Sequence, residues 1–222
     1  GAIDAARVPR GVFVGSTGVH TRLVSPGADS KRRGEAALRA SAIGYTILRP
    51  TMIYGTPGDR NIARLLRWIA RWPLIVTPGG GATLQQPVHV DDLVAAIVGA
   101  LERPETAGRE YDLGGPEAVR LSELIRMSAE ALGRRVWSVP VPLRPVHAVV
   151  TWARRRGLPT PVSPEQVLRL TESKAVDIEP ARADLAPAPR PRRDGLGGEV
   201  DALRGVADAA HGPGGEAPAR DR

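Results

Sequence analysis

The chain contains no cysteine, and its 222 residues include only one phenylalanine, three tyrosines and two lysines, Lys31 and Lys174. The absence of cysteine excludes disulfides, thiolate nucleophiles and cysteine-ligated metals. No run approaches the roughly 18 apolar residues that a membrane span needs, and the first residues lack the charged and then apolar pattern of a secretory signal. We therefore predict a cytoplasmic protein with no membrane span.

The net charge of +7 and the pI near 10.8 come almost entirely from arginine. Arginine, alanine, glycine and proline are all abundant, which indicates coding bias from a GC-rich genome. Aromatic residues make up 4% of the chain, too few to favour base stacking on a basic surface. We predict no nucleic-acid partner. Four scattered histidines form no metal-ligand pattern, so no metal site is predicted either.

Short apolar runs bounded by turn residues predict six strands: residues 12–15, 45–48, 74–76, 87–90, 111–113 and 136–139. Helical spacing of apolar residues predicts helices between and after them: residues 31–41, 62–72, 93–101, 122–132, 145–156 and 164–171. Strands that alternate with helices over the first two-thirds of the chain indicate an α/β protein, with an incomplete doubly wound, Rossmann-like parallel sheet and a small C-terminal substrate lobe.

Local signals predict how several helices begin. Asp91 or Asp92 is placed to cap the helix that starts near Leu93, and Ser122 to cap the next one. Ser163-Pro-Glu-Gln166 has the form of a capping box with proline at the first helical position. The four tryptophans lie on apolar faces and are predicted to be core or interface residues: Trp68, Trp72, Trp137 and Trp152.

The composition divides the chain into one domain and a tail. We predict a domain over residues 1–204, with the substrate lobe formed mainly by residues 52–85 and 115–200. From Pro180 onward the chain is rich in alanine, proline, glycine and arginine. Residues 205–222 are predicted to be disordered, because they offer too little apolar surface to offset the loss of chain entropy.

Four segments carry a family pattern in the expected order. A strand ends at Ser16 and runs into Thr17-Gly-Val-His20; Lys31 follows on a helix; then come Arg49-Pro-Thr-Met-Ile-Tyr-Gly55 and Gln86-Pro-Val-His-Val-Asp-Asp92. Near the C-terminus, Ala183-Asp-Leu and Asp194-Gly-Leu196 look like a closing motif. These segments resemble an extended or atypical short-chain dehydrogenase/reductase of the NAD-dependent epimerase/dehydratase branch, over nearly all of residues 5–200.

The resemblance implies a function and a set of site residues. Ser16 would polarise a substrate carbonyl, Lys31 would act in catalysis and bind the nicotinamide ribose, and Arg49, Pro50 and Tyr54 would line the cofactor. The implied cofactor is NAD or NADP. The implied substrate is a small molecule, a nucleotide sugar or a similar secondary alcohol or carbonyl, with hydride transferred to or from the nicotinamide. A homodimer is compatible with the family.

Two departures from the family pattern bear on activity. Gly27 stands four residues before Lys31, where the family has its proton-transferring tyrosine; His20 and Ser25 are candidate replacements. The glycine-rich turn that holds the pyrophosphate is absent, and Gly79-Gly-Gly81 does not replace it because no helical pattern follows.

Three hypotheses therefore remain open from the sequence. The first is an NAD(P)-dependent epimerase/dehydratase-like oxidoreductase. The second is a non-catalytic protein of dinucleotide-binding fold that resembles the accessory subunits of respiratory complexes, as the loss of the tyrosine favours. The third is an inactive, truncated gene product whose missing first strands would leave a sheet edge exposed.

Overall fold

The computed structural model describes residues 9–56, 58–59, 61–160, 164–169, 172–185, 195, 197–198 and 200, without the side chains at 165 and 166. The predicted tail and the capping residue Ser163 lie outside this set. The strands are β1 Arg10–Val14, β2 Gly44–Pro50, β3 Ile53–Tyr54, β4 Leu74–Pro78, β5 Leu84–Gln85, β6 Val88–His89, β7 Glu110–Leu113, β8 Val119–Arg120 and β9 Trp137–Val141. The helices are α1 Pro26–Arg39, α2 Ile62–Arg71, α3 Val90–Glu102, α4 Leu121–Ala131, α5 Leu143–Arg155, α6 Pro164–Arg169 and α7 Glu179–Asp184.

The central sheet has three parallel strands in the order β1-β2-β7. Val12 lies opposite Thr46 in β2, and Leu48 of β2 lies opposite Tyr111 of β7. Sequence analysis predicted this α/β class with an incomplete parallel sheet, and the structure confirms it. Within the described residues β1 is an edge strand, and none of its five residues is fully buried.

Successive side chains of a strand point to opposite faces, so Leu48 and Arg49 of β2 lie on opposite faces of the sheet. Leu48 packs with Tyr111 and Leu113 against α3 and α7, which gives the main apolar core. Arg49 points to the other face and meets α1. Helices therefore cover both faces, which is the doubly wound arrangement. The α3 helix fits closely because Gly99 lies where a Cβ atom would be 1.8 Å from the Leu185 carbonyl oxygen.

The remaining strands form three two-stranded sheets: β3 with β6 and β4 with β9 in parallel, and β5 with β8 in antiparallel orientation. Around them α2 and α4 bury a second core that contains Ile62, Leu66 and Leu124. The 3.6-residue spacing of apolar side chains predicted α2 to within one residue. The sheet of β4 and β9 comes from segments about 60 positions apart, a pairing that sequence spacing does not reveal.

Helix starts differ from the sequence predictions in three places. The first helix begins at Pro26 rather than residue 31, because Ser25 caps it by accepting a hydrogen bond from the Ala28 amide. Asp91 and Asp92 lie inside the first turn of α3, whose cap is His89. Ser122 lies inside α4 instead of capping it. In α3 and α4 the predicted cap residue thus lies inside a helix that had already begun.

The tryptophans were predicted to be core or interface residues, and the core alternative is wrong: Trp68, Trp72, Trp137 and Trp152 are 52%, 52%, 74% and 54% exposed. Trp68 lies on α2 outside the stripe of Ile62, Leu66 and Ile69 that the helix buries, and Trp137 lies on an open sheet face. The interface alternative stays a prediction. Within the described residues, no helix is both long and apolar enough to cross a bilayer.

Candidate functional site

A cavity of about 720 Å³ opens beside the carboxyl ends of the central strands. Open parallel sheets place their ligands at this edge, where the strand ends and following loops converge. Its wall contains Ser16 and Thr17 after β1, Thr51 and Met52 after β2, and Asp112 from β7. The opposite wall is formed by residues 172–176, which run between α6 and α7. Four separate parts of the chain thus supply polar groups to one cavity.

Ser16 occupies the second position after the β1 strand and caps a short 3-10 helix over Thr17–His20. Its hydroxyl oxygen accepts a hydrogen bond from the Gly18 amide at 3.1 Å. That contact uses the oxygen as an acceptor and leaves the hydroxyl hydrogen to orient separately. Ser16 is thereby held at the cavity wall with a donor that a substrate oxygen can use.

His20 ends the same 3-10 helix and also lines the cavity. Its Nε2 lies 3.0 and 2.9 Å from the two carboxylate oxygens of Asp112. A carboxylate in this position fixes the tautomer and the ring orientation of a histidine. Ser16 and this His20–Asp112 pair therefore share one cavity wall.

Gln86, buried at 5% exposure, holds the back of the cavity together. Its side-chain amide donates to the Gly115 carbonyl at 2.8 Å, and its side-chain oxygen accepts from the Val176 amide at 2.8 Å. Its backbone carbonyl accepts from the hydroxyl of Thr51. One residue of the Gln86–Asp92 motif therefore connects the loop after β2, the loop after β7 and the opposite wall.

The cavity is rich in cations. Arg22, Arg169 and Lys174 line it, and burial together with the nearby charge of Arg169 lowers the pKa of Lys174. The carboxylates in the wall are already engaged: Asp112 faces His20, and Glu172 accepts from the Thr21 hydroxyl at 2.5 Å and the Arg22 amide at 3.0 Å. The arrangement favours an anionic ligand such as a phosphate ester.

Arg49, predicted to line the cofactor, lies in an ion-pair network between β2, α1 and β7. Its guanidinium donates to both oxygens of Glu35 at 2.8 and 2.7 Å and also to Glu110. Arg39 contacts the same two carboxylates. The hydrogen bond from Arg49 lowers the pKa of Glu35, and the hydrogen bond from Arg39, joined by Arg49, lowers that of Glu110 to about 2. These contacts hold the Arg49 guanidinium between β2, α1 and β7.

The other predicted site residues lie in different surroundings. Lys31 is exposed on α1, Pro50 is buried in β2, and Tyr54 is 3% exposed in the second core with its ring edge-on to His89. Of the five predicted residues only Ser16 is among those that line the cavity. The cofactor roles of Lys31, Arg49, Pro50 and Tyr54 stay predictions.

Ser25, one candidate replacement for the tyrosine, is 5% exposed and serves as the cap of α1, with its hydroxyl also accepting from Arg169. His20, the other candidate, lies in the cavity. Sequence reasoning missed Asp112, Arg169 and Lys174. Asp112 was detectable as a polar residue at the carboxyl end of a predicted strand. Arg169 and Lys174 were not, because they lie after α5 and reach the cavity only through the tertiary fold.

The described residues lack the usual binding site for the pyrophosphate of a dinucleotide cofactor. Pyrophosphate is held by a glycine-rich turn between a strand and a helix N-terminus. Gly79–Gly81 forms one 3-10 turn with φ near +64° to +69° and leads into the short strand β5, not into a helix. Within the described residues no such cradle occurs.

A parallel sheet with helices on both faces and a polar cavity at its carboxyl edge defines the class of Rossmann-like α/β proteins. The family model for the NAD dependent epimerase/dehydratase family matches residues 16–114. This match agrees with the resemblance that the motifs around Ser16, Lys31 and Tyr54 indicated. The matched segment runs from the start of the cavity wall to the end of β7.

Two curated proteins and one solved structure illustrate the relationship. Subunit 9 of the NADH dehydrogenase 1 alpha subcomplex of Arabidopsis thaliana mitochondria is 28% identical over 162 residues, 71% of this chain and 40% of that protein. UDP-glucose 4-epimerase of Vibrio cholerae is 28% identical over 118 residues, 52% of this chain and 35% of that protein. UDP-glucuronic acid 4-epimerase from Bacillus cereus, solved with NAD, has a TM-score of 0.71 at 17% identity, covering 92% of this chain and 64% of that one.

The chain thus spans about 40% or less of the length of these two curated relatives. The likeness to the solved epimerase concerns the fold, and it extends beyond the family match into the C-terminal lobe. The shared fold agrees with the predicted combination of parallel sheet and smaller lobe.

Proposed function

We propose that this chain forms the substrate-binding side of an NAD(P)-dependent oxidoreductase of the epimerase/dehydratase type. The observation that carries the proposal is the cavity in which Ser16 and the His20–Asp112 pair lie together. The cations on the opposite wall favour a substrate with a diphosphate, and the name of the Vibrio cholerae relative points to UDP-glucose as a first probe. The cytoplasm remains the proposed location, and a homodimer remains open.

In this proposal each residue acts on the reacting carbinol of the substrate. Ser16 donates a hydrogen bond to the substrate oxygen, and His20, whose ring is oriented by the Asp112 contact at Nε2, removes the hydroxyl proton at Nδ1. Bound NAD would accept the hydride from the same carbon. His20 thereby takes the role of the family's tyrosine, whose position is occupied by Gly27 in this chain. Lys31, exposed on α1, is proposed as the ribose ligand.

The test is product formation from UDP-glucose with NAD, followed by nicotinamide absorbance and by chromatography of the sugar nucleotide. His20→Gln is expected to lower kcat/KM by about 10² to 10⁴, the usual contribution of a positioned acid or base. His147→Gln, on α5 outside the cavity lining, is the matched control and should leave the rate unchanged. Equal rates for both variants would remove His20 from the mechanism.

A second candidate is a non-catalytic scaffold. It is favoured by Gly27 at the tyrosine position and by the relative that is a subunit of NADH dehydrogenase. Calorimetric titration separates the two candidates, because the oxidoreductase requires binding of both UDP-glucose and NAD. If neither binds, the scaffold is favoured. If UDP-glucose binds but NAD does not, the chain has a substrate site that needs the phosphate cradle from elsewhere.

A further inference from the structure

A contiguous exposed apolar face covers the sheet of β4 and β9 and the end of α2. Leu74 lies opposite Trp137 and Val76 opposite Val139, and these four side chains are 40% to 74% exposed. Their equivalent register places them on one face of the two-stranded sheet. We call this face the tryptophan face.

The tryptophans of α2 continue the same surface. Trp68 donates from its indole nitrogen to the Leu74 carbonyl at 2.9 Å, and its ring centroid lies 6.5 Å from that of Trp72. Both are half-exposed. Three of the four tryptophans in the chain thus lie together on solvent-facing surface, although burying such rings would release a large apolar area from water.

The charge of the surrounding segments is strongly one-sided. Residues 61–90 and 131–160, which contain the whole tryptophan face, hold nine arginines and no aspartate or glutamate. The whole chain carries +7, so the rest of it is slightly acidic. On α2 the exposed arginines Arg64, Arg67 and Arg71 share a helix with the exposed tryptophans.

The helix after β9, α5, also exposes apolar and cationic side chains. None of the 13 residues of α5 is fully buried, and its exposed side chains include Val149 and Trp152. The guanidinium of Arg156 lies 5.3 Å from the centre of the Trp152 ring, the geometry of a cation–π contact. Tryptophan and arginine are again neighbours at an exposed position.

We infer that the tryptophan face binds an anionic lipid surface. Tryptophan rings place an apolar body and a polar N–H group at the level of lipid headgroups, and arginines attract anionic lipids. Charge complementarity selects this partner, because the two segments that form the face carry nine arginines and no carboxylate and would repel a second copy of themselves. A nucleic acid would satisfy the arginines but would leave Leu74, Val76 and Val139 without apolar contact.

The experiment is flotation of the whole chain with two kinds of vesicle: phosphatidylcholine with about 30 mol% phosphatidylglycerol, and phosphatidylcholine alone. Each cationic side chain near such a surface is worth about 1 kcal/mol, or about five-fold in affinity. Arg71→Glu removes one positive charge and adds a negative one, so we expect vesicle affinity to fall about 25-fold. Arg33→Glu, an equally exposed arginine on α1, is the matched control and should have little effect.

Trp137→Ser tests the apolar part, and tryptophan fluorescence reports insertion because all four tryptophans are at least half-exposed. We expect a blue shift with anionic vesicles and weaker flotation of the variant, with its circular dichroism unchanged. Equal loss of affinity in Arg33→Glu, or full binding by Trp137→Ser, would overturn the inference. Binding to duplex DNA without vesicle binding would assign the face to nucleic acid, and a concentration-dependent dimer without vesicle binding would assign it to a second copy.

Discussion

The ion-pair network beneath the cavity gives a quantitative prediction. Glu35 and Arg49 are 6% and 8% exposed, and two hydrogen bonds join them. Removing one partner of a buried ion pair costs about 3–5 kcal/mol, because the other charge is left buried. In Glu35→Leu, Arg49 still contacts Glu110, so we expect a loss near the lower limit, about 3 kcal/mol of unfolding free energy. Leucine and glutamate have similar helix propensities, so helix propensity adds little.

The assay is urea unfolding at pH 7 followed by far-ultraviolet circular dichroism. Glu130→Leu on α4 is the matched control: its carboxylate pairs with Arg126 on the exposed surface, and such pairs contribute about 0–1 kcal/mol. The double variant Glu35→Leu/Arg49→Met removes both buried charges and should be more stable than Glu35→Leu alone. A loss below about 1 kcal/mol in the single variant, or a double variant less stable than the single, would refute a structural role for this pair.

Two further predictions concern stability. Gly99→Ala should destabilise the fold by more than about 2 kcal/mol, because the new Cβ would lie 1.8 Å from the Leu185 carbonyl oxygen. In the control Gly34→Ala on α1, the new Cβ meets nothing within 4 Å, so this variant should be more stable than the parent by about 0.5–1 kcal/mol. Urea midpoints that move in the same direction for both variants would contradict this prediction. The pKa of Glu110 is lowered from 4.5 to about 2, chiefly by its hydrogen bond with Arg39. Its contribution to the free energy of unfolding, at most about 3 kcal/mol, is therefore complete above pH 4.5 and disappears as the pH falls towards 2. The stability difference between the parent and Glu110→Gln should therefore shrink between pH 7 and pH 3, and a constant difference would argue against the lowered pKa.

The parallel pairing of β1 with β2 was predictable because both strands are short apolar runs separated by one helix. The helical face of α1 was not. Ala36 and Ala37 are exposed although they are apolar, and Glu35 beside them is buried. Glutamate is rarely buried unless it is paired, and its partner Arg49 lies on a strand 14 residues away. Spacing of apolar residues cannot anticipate a charge that becomes buried through a tertiary contact.

The candidate site was predictable in the same partial way. Ser16 ends a strand at the sheet edge where ligands bind, so its place in the cavity follows from local sequence and topology. Lys174 reaches the same cavity through a backbone hydrogen bond from its amide to the Leu84 carbonyl at 2.8 Å, a contact between segments 90 residues apart. Nothing in the residues beside Lys174 indicates that contact. The tryptophan face likewise depends on the pairing of β4 with β9, which only the fold reveals.

The most direct test of the account is a titration of UDP-glucose into the ¹⁵N-labelled chain, followed by amide chemical shifts. The cavity predicts the largest shifts at the amides of Ser16, Thr17 and Gly18 after β1 and of Ala175 and Val176 on the opposite wall. Asp112→Asn should weaken the shift of the His20 amide, because the imidazole loses its charged partner. Saturable shifts confined to β4 and β9, or no shifts at millimolar UDP-glucose, would contradict a substrate site at the carboxyl ends of the central strands.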